Sequence, residues 1–151
     1  MQGATAMYQF NLEPLLNHRR YQEEILQKDL AGLKIRLVIE KEKLAVLRQK
    51  KRKTIQQLQR KQSDGRPASE IKLFVDFIGR LTNETEAQRQ KVMEAESNFN
   101  RKRQDLIATM KKRKTLERLK EKDMQVYEQK QLKKERNLMD EVAGHQFIQK
   151  S

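Results

Sequence analysis

The sequence predicts an all-α protein: a long antiparallel two-helix coiled-coil hairpin whose second helix is longer than its first. Three observations predict it. Leucine recurs at alternating spacings of four and three through the first half of the chain, the signature of a heptad seam. One Gly/Pro cluster, Ser63-Asp64-Gly65-Arg66-Pro67-Ala68-Ser69, interrupts the helical pattern between residues 12 and 143. Hydrophobic residues make up 36% of the chain and aromatics 5%, too little for a compact core but enough for a seam that occupies about two positions in seven.

Residues 1–10 read as a flexible lead, since Met1 to Ala6 is small and polar. The first helix is expected over 11–62. Asn11 suits an N-cap, and Pro14 then falls in the first turn, where its missing N–H costs little. From Leu12, the positions 12, 16, 19, 23, 26, 30, 33, 37, 40, 44, 47, 51, 54 and 58 hold the seam, and nine of these fourteen are leucine. Its apolar members beyond the first turn are Leu26, Leu30, Leu33, Leu37, Leu44, Leu47 and Leu58. Arg19, Glu23, Glu40 and Lys51 interrupt it, and buried polar groups of that kind set register at the expense of stability.

Residues 63–69 form the turn. Gly65 supplies the left-handed backbone that ends a helix, Pro67 suits the first turn of the next helix, and Ser69 is an alternative N-cap. The second helix is expected over 70–143, with a seam that includes Phe74, Leu81, Val92, Phe99 and Leu106 and polar interruptions at Lys102 and Arg113. After Leu106 the register is expected to slip and the stripe to weaken through Leu116, Leu119, Val126, Tyr127, Leu132 and Leu138. Gly144 is expected to end the helix, leaving a flexible tail over 144–151. A short turn forces the helices antiparallel, so facing residues have numbers summing to about 131. Leu37 then meets Val92 and Ala95, Leu26 meets Leu106, and Leu12 meets Leu119. The arms span ~75 Å and ~110 Å at 1.5 Å per residue, so the longer helix overhangs the start of the shorter one. A looser seam near Thr85 and Gln88 would let the hairpin flex.

The composition excludes several kinds of chemistry. There is no cysteine, hence no disulfide or thiolate metal site. No stretch approaches the ~18 apolar residues of a membrane helix, and no signal peptide is visible, so a cytoplasmic protein is expected. His18 and His145 are not brought together, no phosphate-binding glycine loop exists, and a rod has no enclosing pocket. No catalytic residue, cofactor or metal is expected.

The net charge of +13 implies an acidic partner or solvated coiled-coil flanks. Residues 48–61 carry seven cations and no acid, and residues 101–122 carry ten cations and three acids. Such runs could neutralise phosphates, but the interior aromatics lie on the seam rather than among the charges, so a nucleic-acid binder is a lesser alternative. Phe77, beside the seam positions Phe74 and Ile78, either widens the core near the turn or anchors a partner. Tyr8, Phe10 and Phe147 are candidates for contacts near the termini.

Several runs resemble one known family. Phe10-Asn11-Leu12-Glu13-Pro14-Leu15-Leu16-Asn17-His18-Arg19 is similar to the F-x-L-x-x-L-L-x-x-R opening of the FliJ family. Arg103, Leu106, the stretch from Lys112 to Lys122 and Tyr127 are similar to its R-x-x-L…RK-x-LE-x-LKEK…Y run. Leu138-Met139-Asp140-Glu141-Val142-Ala143 resembles its LDE-hydrophobic-A close, with Met139 inserted. The resemblance implies a non-catalytic component of the flagellar type III export apparatus, peripheral at the cytoplasmic membrane. It implies a central stalk in the hexameric ring of the export ATPase FliI, with further contacts to the export-gate protein FlhA and to export chaperones. Carried onto this chain, the ring contact is Leu12, Leu15, Leu16, Arg19, Leu132, Leu138, Asp140 and Glu141. The gate contact is Phe77, Ile78 and Leu81, with Glu84 and Gln88 departing from the family pattern beyond it. A stalk of a related virulence-type secretion system and a homodimerising coiled-coil scaffold remain as alternatives.

Overall fold

A computed structural model describes residues 8–150. Residues 1–7 of the expected lead, and Ser151 of the expected tail, lie outside the described residues. Two helices make up the fold: α1 (Glu13–Ser63) and α2 (Ala68–Lys150). They pack side by side as a hairpin, and the second is longer, with 83 residues against 51.

α1 begins two residues later than Asn11 suggests. The Leu12 carbonyl accepts the first helical bond, from the Leu16 N–H at 2.9 Å, and the Phe10 carbonyl accepts from the Glu13 N–H at 3.0 Å. Leu12 is therefore the capping position, and Glu13 and Pro14 fill the first turn. The acidic Glu13 there complements the positive end of the helix dipole. At the other end, Gly65 has φ 71°. Its N–H donates to the Gln62 carbonyl at 3.3 Å, and the Arg66 N–H donates to the Lys61 carbonyl at 3.2 Å. This pair of bonds is the Schellman arrangement that satisfies the last carbonyls of a helix, and it requires the left-handed residue that glycine supplies. Pro67 caps α2 rather than entering it: its carbonyl accepts from the Glu70 and Ile71 N–H groups at 3.1 and 3.2 Å. Ser69 accordingly lies inside the helix and does not cap it.

The chain packs as two units, residues 25–106 and residues 8–24 with 107–150. In the first, Leu37, Leu44, Val92 and Ala95 form the buried cluster, with Phe99 packed against it. Leu81, Thr54, Glu40 and Gln88 are also buried. In α1 every expected seam position from Leu16 to Leu58 is buried or half-buried, so the heptad reading holds along that length. The register also holds near the turn, where the Lys61 ammonium lies 2.6 Å from the Glu70 carboxylate, and at Asp29 and Lys102, 3.9 Å apart.

In the second unit the core is Leu16 and Leu116. The expected slip after Leu106 does not occur: Thr109, Arg113, Leu116 and Lys120 are half-buried or buried at the same alternating spacings, and Tyr127 follows one heptad on. The stripe turns polar without shifting, because the stems of Arg and Lys cover apolar surface while their charges stay wet. α2 also runs through Gly144 to Lys150. A mid-helix glycine costs about 1 kcal/mol, and neither a left-handed residue nor a proline accompanies it to end the helix.

Candidate functional site

No helix of the described residues is long and apolar enough to cross a membrane. Among the described residues no group of three or more His, Asp or Glu side chains could hold a metal ion. What the fold offers is surface, and the two expected contact sets fall in different units.

The expected ring-contact residues all lie in residues 8–24 and 107–150. α1 and α2 are tied there by charge. Arg113 donates from Nε to the Glu23 carboxylate and from Nη1 to Glu117 at 2.9 Å. Glu117 in turn receives Arg20 at 3.5 Å, and Lys120 reaches Glu13 at 2.8 Å. The Glu23 and Glu117 carboxylates hold the Arg113 guanidinium still more firmly protonated than usual. Around this network the leucines separate into two kinds. Leu16 is fully buried between the helices, whereas Leu12 and Leu15 are 41% and 39% exposed. Arg19 is half-buried and donates from Nη1 to the Gln22 side-chain Oε1 at 3.0 Å. Farther along α2, residues 128–149 are exposed apart from Gln131. Leu132, Leu138, Met139, Asp140, Glu141 and Val142 all present their side chains there.

The residues preceding α1 dock on α2 beside this surface. The Tyr8 hydroxyl donates to Asp123 Oδ2 at 2.7 Å and to the Lys120 carbonyl at 3.3 Å. Its ring lies 5.5 Å from that of Tyr127 at 54°, a tilted aromatic pair. A shallow cavity of about 460 Å³ is lined by Tyr8, Gln9, Phe10, Glu13, Lys120 and Met124. Desolvation, then the hydrogen bond to Asp123 and the nearby Asp123 and Glu13 charges, push the Tyr8 phenol from 10.0 up to about 12. The folded chain therefore favours the neutral phenol. This contribution is intact below pH 10 and is lost as pH climbs from there toward 12. A spectrophotometric titration at alkaline pH is expected to resolve one phenol ionising near 12, and Tyr8→Phe should remove that step. If the step survives the substitution, the docking of Tyr8 on Asp123 is wrong.

The expected gate-contact residues lie in the other unit, on α2 near the turn. Leu81 is only 2% exposed and belongs to the core; Phe77 and Ile78 are half-buried. Phe77 is neither a full core residue nor an open anchor. The Lys50 ammonium lies 5.4 Å from its ring centroid and the Arg80 guanidinium 5.8 Å, so cations occupy its faces. Lys61 makes the same kind of contact with Phe74 at 5.1 Å while bonding Glu70, whose carboxyl is held below its usual range by that hydrogen bond. Neighbouring Leu73 and Val75 are exposed. Both fall off the heptad seam, Leu73 on one flank and Val75 on the other, and their apolar character at non-seam positions is the signal the sequence offers.

The family model for the flagellar FliJ protein matches residues 8–151, which include both contact sets. The chain belongs to the FliJ family. It is therefore a component of the flagellar export apparatus and a non-catalytic one. No match was found among curated proteins or among solved structures. Within FliJ-family membership, the exposed surfaces above are the candidates for contact with the rest of the apparatus.

Proposed function

We propose that this FliJ-family chain is the central stalk of the hexameric export ATPase ring in the cytoplasm, held at the membrane through the export apparatus and linking the ring to the export gate and chaperones. The observation that carries this reading is the terminal part of α2. Leu132, Leu138, Met139 and Val142 are exposed on a helix stretch that is solvent-facing over nearly all of residues 128–149. Exposed apolar residues in such number mark an interaction surface, and Leu12 and Leu15 in the same unit extend it. Leu16 supports that surface from within the core and does not touch the partner. Positive charge on the chain, +13 in total, suits acidic loops lining a ring. The stalk modulates hydrolysis by making different contacts with ring subunits in different states, since equal affinity for all states shifts nothing.

On the gate side, Phe77 and Ile78 make the contact and Leu81 positions them from the core. The ring contact is tested by ATP hydrolysis of the organism's own flagellar export ATPase with and without the full chain. The native chain is expected to stimulate hydrolysis. Leu12→Asp/Leu15→Asp, at two exposed positions, is expected to lose the stimulation while keeping its helical circular dichroism. A double variant that stimulates as well as the native chain would remove the ring contact from this end of α1.

A further inference from the structure

α1 carries two apolar stripes. One faces α2 through Leu37 and Leu44. The other comprises Ile35, Val38, Ile39 and Val46, all exposed, with Ile35 at 63% and Val46 at 62%. At about 100° per residue these four fall within an arc of roughly 100°, on the side of α1 away from Leu37 and Leu44. A width of that order is what a helix uses to bury one face against a neighbour. Single exposed hydrophobics need no explanation, but four on one arc of a helix do, even with Glu42 between Ile39 and Val46. Beside it runs a groove of about 540 Å³ lined by Ile39, Glu42, Lys43, Val46, Leu47 and Gln88, so the stripe opens onto the junction of the two helices.

The charges around the stripe indicate what covers it. Residues 30–53 contain nine cations and two acids, Glu40 and Glu42. Glu40 is turned into the seam, where it accepts from Gln88; Glu42, exposed, falls within the arc of the stripe between Ile39 and Val46 and is the one acid there. Lys34, Lys41 and Arg48 follow one edge of the stripe, and Lys43 and Lys50 follow the other; all five are exposed. An apolar strip between two rows of cations matches an amphipathic helix whose apolar face is flanked by carboxylates, the arrangement of e and g positions beside an a/d seam.

We infer that this outer face of α1 docks an acid-flanked amphipathic helix of a partner protein as a third strand on the hairpin. A second copy of this chain fits poorly, because it would bring the same rows of lysine and arginine together. The site is separate from the terminal surface proposed for the ring and does not depend on that proposal.

The test uses the full chain labelled at isoleucine methyl groups and two synthetic helices of about three heptads. Both carry leucine at a and d; one has glutamate at e and g, the other lysine. The glutamate helix is expected to bind and to shift the Ile35 and Ile39 methyl signals while leaving those of Ile71 and Ile107 in place. The lysine helix is expected not to bind. Val46→Asp should weaken binding of the glutamate helix about tenfold or more, and Leu73→Asp, at an exposed apolar position on α2, should not. Circular dichroism of both variants shows that the hairpin is intact. Equal binding of the two helices, absence of binding, or shifts centred elsewhere overturns the inference. So does a dimer in sedimentation that Val46→Asp dissociates, which would give this face to a second copy.

Discussion

Leu16→Ala is expected to lower the unfolding free energy by about 2–5 kcal/mol, and Leu12→Ala, one turn earlier on the same stripe, by no more than about 0.5 kcal/mol. The two leucines are equivalent in the heptad pattern and unequal in the fold. Leu16 is fully buried, whereas Leu12 caps α1 and is 41% exposed. Truncating Leu16 removes its contacts and opens a cavity that a narrow two-helix core cannot easily collapse around, since the Glu23–Arg113 and Glu13–Lys120 pairs fix α1 and α2 in their present spacing. Leu81→Ala, at 2% exposure in the other unit, is expected to cost a similar amount. Urea unfolding followed by circular dichroism measures all three. The two units give a further check, because hydrogen exchange should show Leu16→Ala loosening residues 8–24 and 107–127 before residues 25–106. A Leu12→Ala cost equal to that of Leu16→Ala would mean that exposure is not what separates them.

The same comparison shows where sequence reasoning reaches. The alternation of four and three marks the positions of α1 that meet α2 from Leu16 to Leu58, because a heptad can bury only one face. It says nothing about where pairing starts, which depends on how far the partner helix extends and on the docking of Tyr8 and Phe10, so Leu12 was misplaced. In α2 the apolar content falls after Leu106, and counting apolar residues suggested a slip. The spacing is kept by Thr109, Arg113 and Lys120, whose half-buried stems carry no hydrophobic signal. Gly65 was legible because a left-handed backbone is a glycine signature. The roles of Pro67 and Ser69 were not, because either residue is compatible with the first turn and the choice lies in which carbonyl accepts the bonds of Glu70 and Ile71. Contact surfaces were the least legible. Leu16 and Leu81 share residue type with Leu15 and Leu132, and only the packing distinguishes a core leucine from one that can meet a partner.

Gln88→Leu is expected to destabilise the hairpin at neutral pH and to make it unfold at a higher pH on acidification. Gln88 is buried and donates from Nε2 to both the carboxylate and the carbonyl of Glu40, itself 8% exposed. The seam that looked loose in the sequence at this level is pinned across the two helices. That hydrogen bond, helped by Lys43 and Arg36 on α1 and Lys91 on α2, holds the Glu40 carboxyl below its ordinary 4.5 against the opposing effect of desolvation. With the folded value below the unfolded one, the contribution is present above pH 4.5 and disappears as pH falls through the depressed value. Removing the donor takes away the largest effect that lowers it, so the Glu40 carboxyl rises and the loss begins at a higher pH than in the native chain. Replacing both residues, Glu40→Leu with Gln88→Leu, should recover the lost stability and can exceed the native chain, because an apolar pair needs no hydrogen bonds. What the double variant is expected to lose is uniqueness: a continuous leucine seam tolerates a shift by one heptad or pairing with a second chain, which a single buried polar pair forbids. Acid unfolding curves and sedimentation of the native chain, both single variants and the double variant decide the matter. An unchanged acid midpoint for Gln88→Leu would remove the electrostatic role, and a strictly monomeric double variant with native cross-helix distances would remove the role in register.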